Sequence, residues 1–231
     1  MNALRTLTVV VGSLCVASHV GAKNPIPHPH PQITEALFNV PTGAKGDANG
    51  DGERDAAGDE FIEIANPHKQ AINLRGYTLT NRLASPTEDT GKGVKFVFPD
   101  VTLNPGDTAV VFNGYKWIAP EGVGATDRAP TSPIEACAGA LVFTMGNTSP
   151  SVAFRNSGDF ILLSGPDGAP IDAVVWGEPD PAPPSETLRA QVVPANAKGS
   201  VQRLTPESSL TPHADINGAP FSPGVIPASR K

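Results

Sequence analysis

The sequence is poor in cysteine, in charge and in long apolar runs, and each shortage removes a class of protein. Of 231 residues two are cysteine, Cys15 and Cys137. Cys15 lies in a stretch with the features of an export signal, so the mature chain is expected to keep Cys137 alone and to form no internal disulfide. Ala136, Ala138 and Leu141-Val142-Phe143 surround that thiol in sequence, which predicts a buried cysteine. Lipidation of Cys15 is disfavoured, because Leu14 stands where a small residue is expected. Charged residues make up 17% of the chain, and the net charge is −6. Loss of residues 1–22 removes Arg5 and no acid, which takes −6 to −7. Lys45, Lys69, Arg75, Arg82, Lys92 and Lys95 are scattered and form no basic run. Such a chain has no general attraction for phosphate backbones or anionic lipid. After Leu7–Ala17 no run approaches the ~20 apolar residues of a membrane span. Catalytic signatures are missing too: there is no G-x-S-x-G elbow, H-E-x-x-H, Walker loop or dinucleotide fingerprint. His213 lies near Asp215, but no motif supplies a nucleophile. A non-enzyme is expected.

Glycine and proline are what the chain has in quantity. Gly 23 and Pro 25 together exceed a fifth of it. That much punctuation suits many short strands separated by turns. Arg5, the apolar Leu7–Ala17 and the small residues Val20 and Ala22 read as a signal peptide over 1–22. Cleavage near Ala22 would deliver the chain to the periplasm or the medium. Residues 23–31, K-N-P-I-P-H-P-H-P, read as an extended proline-rich linker. His28 and His30 within it lack a third ligand and make a poor metal site.

Strand patterns then follow one another from residue 32 to 224. Candidates are Ile33–Asn39, Glu60–Asn66, Tyr77–Asn81, Val94–Phe98, Thr108–Asn113, Phe160–Ser164, Ile171–Gly177 and Ser200–Leu204. Thr108–Asn113 is almost wholly apolar, which predicts a strand covered on both faces. Asn104-Pro105-Gly106-Asp107 and Gly165-Pro166-Asp167-Gly168 are turns. Tyr115–Pro150 breaks the rhythm and reads as a long inter-strand insertion with a helical turn near Pro133–Ala140. About eight strands at this spacing predict an all-β antiparallel sandwich. Residues 225–231 form a tail.

One stretch carries candidate chemistry. Gly46–Asn66 begins with oxygen-bearing side chains at every second position: Asp47, Asn49, Asp51, Glu53 and Asp55. A calcium loop places oxygen ligands at positions 1, 3, 5, 7, 9 and 12, with glycine at 6. With Asp47 as position 1, Gly52 falls at 6 and Gly58 at 12, where a bidentate acid is required. Asp59 or Glu60 would then have to close the site. Hard carboxylate oxygens favour Ca²⁺ over softer metals, and so many acids within about fourteen residues repel unless a cation intervenes. The expected role is structural, because a strand follows at once. Asp215-Ile216-Asn217-Gly218 lacks the alternation and reads as a turn.

The order of segments resembles the lamin tail domain. They are I-T-E-A-L-F-N, D-E-F-I-E-I-A-N-P, I-N-L-R-G-Y-T-L-T-N, F-P-D-V-T-L-N-P-G-D-T-A-V-V-F, N-S-G-D-F-I-L-L-S-G-P-D-G-A-P-I-D-A-V-V-W, S-V-Q-R-L and F-S-P-G. The resemblance spans Ile33 to Gly224. It implies an immunoglobulin-like sandwich, with Phe61, Ile62, Ile64 and Leu79 facing the core and Trp176 as an anchor. Bacterial members occur in exported proteins, and some carry a calcium-type loop. The resemblance implies a non-catalytic binding or adhesion module for an unidentified protein or cell-envelope partner. Alternatives are an accessory to an exported nuclease or phosphoesterase, and nucleic-acid binding, which the charge opposes.

Overall fold

A computed structural model describes residues 29–88 and 91–226. The expected signal peptide, most of the proline linker and the end of the tail lie outside the described residues. In chain order the strands are β1 (Gln32–Leu37), β2 (Phe61–Ala65), β3 (Ile72–Asn73), β4 (Thr78–Thr80), β5 (Lys95–Val97), β6 (Thr102–Leu103), β7 (Thr108–Phe112), β8 (Leu141–Thr144), β9 (Gly158–Ser164), β10 (Pro170–Gly177), β11 (Arg189–Val193), β12 (Val201–Arg203) and β13 (Leu210–Pro212). A single helical turn, α1 (Ala214–Asn217), occupies the segment expected to be a plain turn, and 3₁₀ turns span Ala44–Gly46 and Glu135–Cys137.

Two sheets face each other. One has the order β13-β12-β1-β2-β7-β8, the other β11-β10-β9-β4-β5, and β3 pairs with β6 to one side. Most neighbours are antiparallel, but β7–β8 and β10–β11 run parallel. A parallel neighbour needs a long crossover. The two segments that supply one, 113–140 and 178–188, are those where the strand rhythm fails in the sequence. Strands β3, β6, β8, β11 and β13 are additions to the expected eight.

The alternation of side chains in β2 decides the layers. Ile62 and Ile64 enter the inter-sheet core with Ile33, Val111, Leu79, Phe96, Leu163 and Trp176. Phe61 does not, contrary to the sequence expectation. Successive residues of a strand point to opposite faces, so Phe61 and Ile62 cannot share one. Phe61 joins Leu37, Val110, Phe112 and Val142 on the outer face of the larger sheet. The 115–150 insertion covers that face with Trp117, Val123, Cys137 and Ala140. Trp117 meets Phe112 edge to face, with ring centroids 5.2 Å apart. The insertion is thus the second wall of this sheet, and every residue of β7 is buried.

Polar side chains stitch the sheets. At the register shift between Ile33 and Glu35, the Ile33 amide donates to Asp172 Oδ2 and its carbonyl accepts from Arg203 Nε. Gln191 acts as a surrogate strand residue between β11 and β13. Its Nε2 donates to the Leu210 carbonyl, and its Oε1 accepts the Leu210 amide. The proline-rich linker is docked at its end: His30 Nδ1 lies 2.7 Å from the Tyr77 hydroxyl, and Pro31 O accepts from Arg189 Nη2.

The C-terminal F-S-P-G segment straps the outer face of the larger sheet. The Ser222 amide donates to Glu35 Oε1 and the Gly224 amide to Glu63 Oε2. Gly224 has φ +84°, and a Cβ there would lie 1.8 Å from the Cys137 carbonyl oxygen. Only glycine allows that approach. His213 is fully buried beside the strap. Its ring nitrogens meet the Ala219 carbonyl and the Ser222 hydroxyl, each at 2.8 Å. Its work is to hold the strap, and Asp215 is not its partner. Cys137 is buried as expected. Burial first, then the charges of Glu63 and Glu35, push its thiol up to about 12, so it stays protonated and unreactive near neutrality.

Candidate metal and binding loop at one end of the sandwich

The register of β2 with β7 sets this end of the molecule. Phe61 pairs with Phe112, so the acidic segment before β2 and the segment after β7 emerge side by side. Their backbones join where the Asn113 amide donates to Glu60 O and the Gly114 amide to Gly58 O.

Within the acidic segment the side chains of Asp47, Asn49, Asp51 and Asp55 fold back onto backbone amides. Asp47 Oδ1 accepts from the amides of Gly50 (2.9 Å) and Asp51 (3.2 Å), and its Oδ2 from Gly52 (2.9 Å). Asn49 Oδ1 accepts from the Asp51 amide at 3.0 Å, and Asp51 Oδ1 from the Glu53 amide at 2.8 Å. Asp55 Oδ1 accepts from the amides of Ala57 and Gly58. Asp and Asn favour this bond to the amide two residues on. Asn49, Asp51 and Asp55 make it, whereas Asp47 reaches amides three to five residues on. Gly52, with φ +91°, supplies the left-handed residue that lets the loop reverse.

Asp59 is the staple of the loop. It is fully buried. Its Oδ1 accepts from the amides of Ala48 (2.8 Å) and Asn49 (3.1 Å), and its Oδ2 from Asp55 (2.7 Å). Desolvation outweighs these three donors and raises its carboxyl to about 6. In Asp55 the balance reverses. Desolvation is overcome by the amides of Gly58 and Ala57 and by Lys116, and its carboxyl is lowered. Asp59→Asn should cost about 1–3 kcal/mol, the usual penalty for a buried donor left without its acceptor. Urea unfolding at pH 7.5 measures it. A loss within experimental error would show that the loop does not depend on this staple.

The seven residues expected at a metal do not converge. Glu60 faces away from the loop: both its oxygens accept the Phe154 amide, and Asn113 Nδ2 donates to its Oε2. Desolvation raises its carboxyl well above the usual range. Asp59 is committed to three amides, and Asp55 Oδ2 faces Lys116 Nζ at 3.4 Å. Among the described residues no group of three or more His, Cys, Asp or Glu is placed to hold a metal ion. The outer half of the loop carries Asp47, Asn49, Asp51 and Glu53. A side-chain oxygen that accepts one amide, such as Asn49 Oδ1 or Asp51 Oδ1, keeps a further lone pair.

Beside the loop lies a cleft of about 730 Å³, bordered by Arg54, Asp55, Glu60, Lys116 and Arg155. Arg54 is pinned to the carbonyls of Val40 and Pro41. Lys116 adopts φ +63°, a conformation that is costly for a residue with a side chain and clusters at functional positions. Its ammonium sits 5.2 Å from the centre of the Tyr115 ring. The next exposed side chain, Ile118, is 93% accessible. Nothing in the local sequence around Arg54, Lys116 or Arg155 announces this cluster; the pairing of β2 with β7 brings Arg54 and Lys116 together, and the Phe154 amide on Glu60 brings Arg155 to them.

The family model for the lamin tail domain matches residues 43–178. The chain belongs to the lamin tail domain family. No curated protein matches it. The match runs from just before the acidic loop to the end of β10, so that loop lies inside the family segment. The lamin tail domain here is completed by strands outside the match: β1, β12 and β13 make half of the larger sheet. Its two-sheet architecture is the immunoglobulin-like one that the sequence implied. Among the described residues no helix is long and apolar enough to cross a membrane.

Proposed function

We propose that this lamin tail domain is a non-catalytic binding module of an exported protein, presenting the acidic loop and its neighbouring cleft to a protein or cell-envelope partner. The observation that carries the reading is the Asp59-stapled loop beside the strained Lys116. A fixed loop loses little entropy on binding, and the cleft offers charges of both signs. Immunoglobulin-like sandwiches use the loops at their ends in this way. Calcium is part of the proposal: bound at Asp47, Asn49, Asp51 and Glu53, it would neutralise the acids and stiffen the outer loop without entering any chemistry.

The test is the thermal midpoint of the mature chain in calcium and in chelator. Calcium should raise it by about 2–4 °C, the shift that roughly 1 kcal/mol gives a domain of this size. Asp51→Ala should abolish the rise. Equal midpoints for the unaltered chain in both conditions would remove calcium from the proposal. Binding to a washed envelope fraction, lost in Lys116→Glu, tests the module itself; retention by that variant would move the contact elsewhere.

A further inference from the structure

At the opposite edge of the sandwich from β5 and β8, two arginines are held in fixed positions by backbone carbonyls. Arg203 on β12 is 7% exposed. Its Nε donates to Ile33 O and its Nη1 to Ser208 O. Arg189 on β11 donates through Nη2 to Pro31 O, and its Nε stands 3.5 Å from Asp172 Oδ2. Asp172 is fully buried and lies near both guanidiniums. One carboxylate therefore faces two cations. The remaining nitrogens, Arg189 Nη1 and Arg203 Nη2, have no hydrogen-bond partner among the described residues. Both arginines line a cleft of about 680 Å³, together with Gln32, His68, Ser209 and the rim acid Glu207.

The geometry points to an oxyanion-binding cleft between the edges of the two sheets, in which Arg189 and Arg203 grip a carboxylate or phosphate group of the ligand. A guanidinium is a planar fork suited to paired contacts with such groups. Here both forks are already immobilised by bonds to Pro31, Ile33 and Ser208, so little side-chain entropy remains to be lost. The site sits in partial burial, where a charge-assisted bond is stronger than at an open surface. Gln32 and Ser209 supply further neutral donors around the same cleft, while the His68 Nε2 proton is committed to the His30 carbonyl. This site is independent of the acidic loop, and neither the family match nor the calcium proposal bears on it.

Calorimetric titration of the mature chain with inorganic phosphate, and separately with acetate and citrate, at constant ionic strength tests the assignment. Saturable binding in the millimolar range is expected. Arg189→Gln should weaken it at least tenfold, the loss of about one charge-assisted contact. Glu207→Gln should tighten it about two- to threefold, because it removes a repelling charge from the rim without touching a fold contact. The midpoint of each variant without anion reports whether it is folded, and the Glu207 variant keeps the test decisive if the Arg189 variant unfolds. Preference for phosphate over acetate assigns the phosphate class, and the reverse assigns the carboxylate class. No saturable heat with any of the three anions, or binding that neither substitution alters, would overturn the proposal.

Discussion

Trp176→Ala is expected to destabilise the protein by about 3–5 kcal/mol, the range for removing a large aromatic from a closed core. Trp176 is fully buried. Its ring stacks on Phe38 at 3.9 Å with an interplanar angle of 8°, and the edge of Phe154 packs at 5.8 Å. Phe38 follows β1 of the larger sheet and Trp176 belongs to β10 of the smaller one, so the stack joins the two layers. The indole Nε1 also donates to the Arg155 carbonyl at 2.9 Å. Alanine would leave a cavity and an unpaired carbonyl together. Trp176→Phe should lose less than half as much, since it keeps the stack and gives up the hydrogen bond. Denaturant unfolding of both variants measures the difference. A loss below about 1 kcal/mol for alanine would mean that Phe38 and Phe154 close the gap, and that this contact is not the anchor between the sheets.

Raising the pH from 5 to 8 is expected to lower stability by roughly 3 kcal/mol, which is opposite in sign to the usual behaviour of carboxylates. Glu35 and Glu63 are directly opposed on β1 and β2, and both are fully buried. Burial raises Glu63 to about 7. Burial and then the charge of Glu63 raise Glu35 well above its ordinary value. In the unfolded chain both carboxyls titrate near ~4.3. Between that value and about 7 the folded state holds protons that the unfolded state has released. Stability is therefore complete below the unfolded value and falls as pH rises through the folded one. Several donors soften the cost: Ser200, Gln202 and the Ser222 amide for Glu35, Thr34 and the Gly224 amide for Glu63. Cys137 also senses the pair, but stays neutral across this range. Glu63→Gln should flatten the pH dependence. The amide can still accept from Gly224 and can donate to the Thr34 hydroxyl, which reverses its role. Stability of the unaltered chain that rises from pH 5 to 8 would refute the account, as would a Gln variant with an unchanged slope.

Most strands were legible in the sequence because their apolar residues alternate or run together, as in Ile62-Glu63-Ile64 and Ala109-Val110-Val111. Strands β3, β6, β8, β11 and β13 were not. Leu141–Thr144 is too short to stand out within an irregular segment, and Arg189–Val193 carries exposed Ala190 and Val192 at an edge. The acids of the candidate loop were legible as a group. Their use was ambiguous, because the same oxygens that could ligate calcium also cap backbone amides, as those of Asp47, Asn49, Asp51 and Asp55 do. Only coordinates separate Asp59, which staples the loop, from Glu60, which leaves it.

The sequence by itself determined the all-β class, the family, the place of the acidic loop and the burial of Cys137. Those properties are local: period-two patterning, turn residues and composition specify them over a few neighbours at a time. The tertiary structure decided what each face meets. It turned Phe61 outward, set Glu35 against Glu63, made the 115–150 insertion a wall, and brought Arg189 to Arg203. Each of these depends on which distant segments pair and in what register, and a shift of one residue would send the same side chain to the other face.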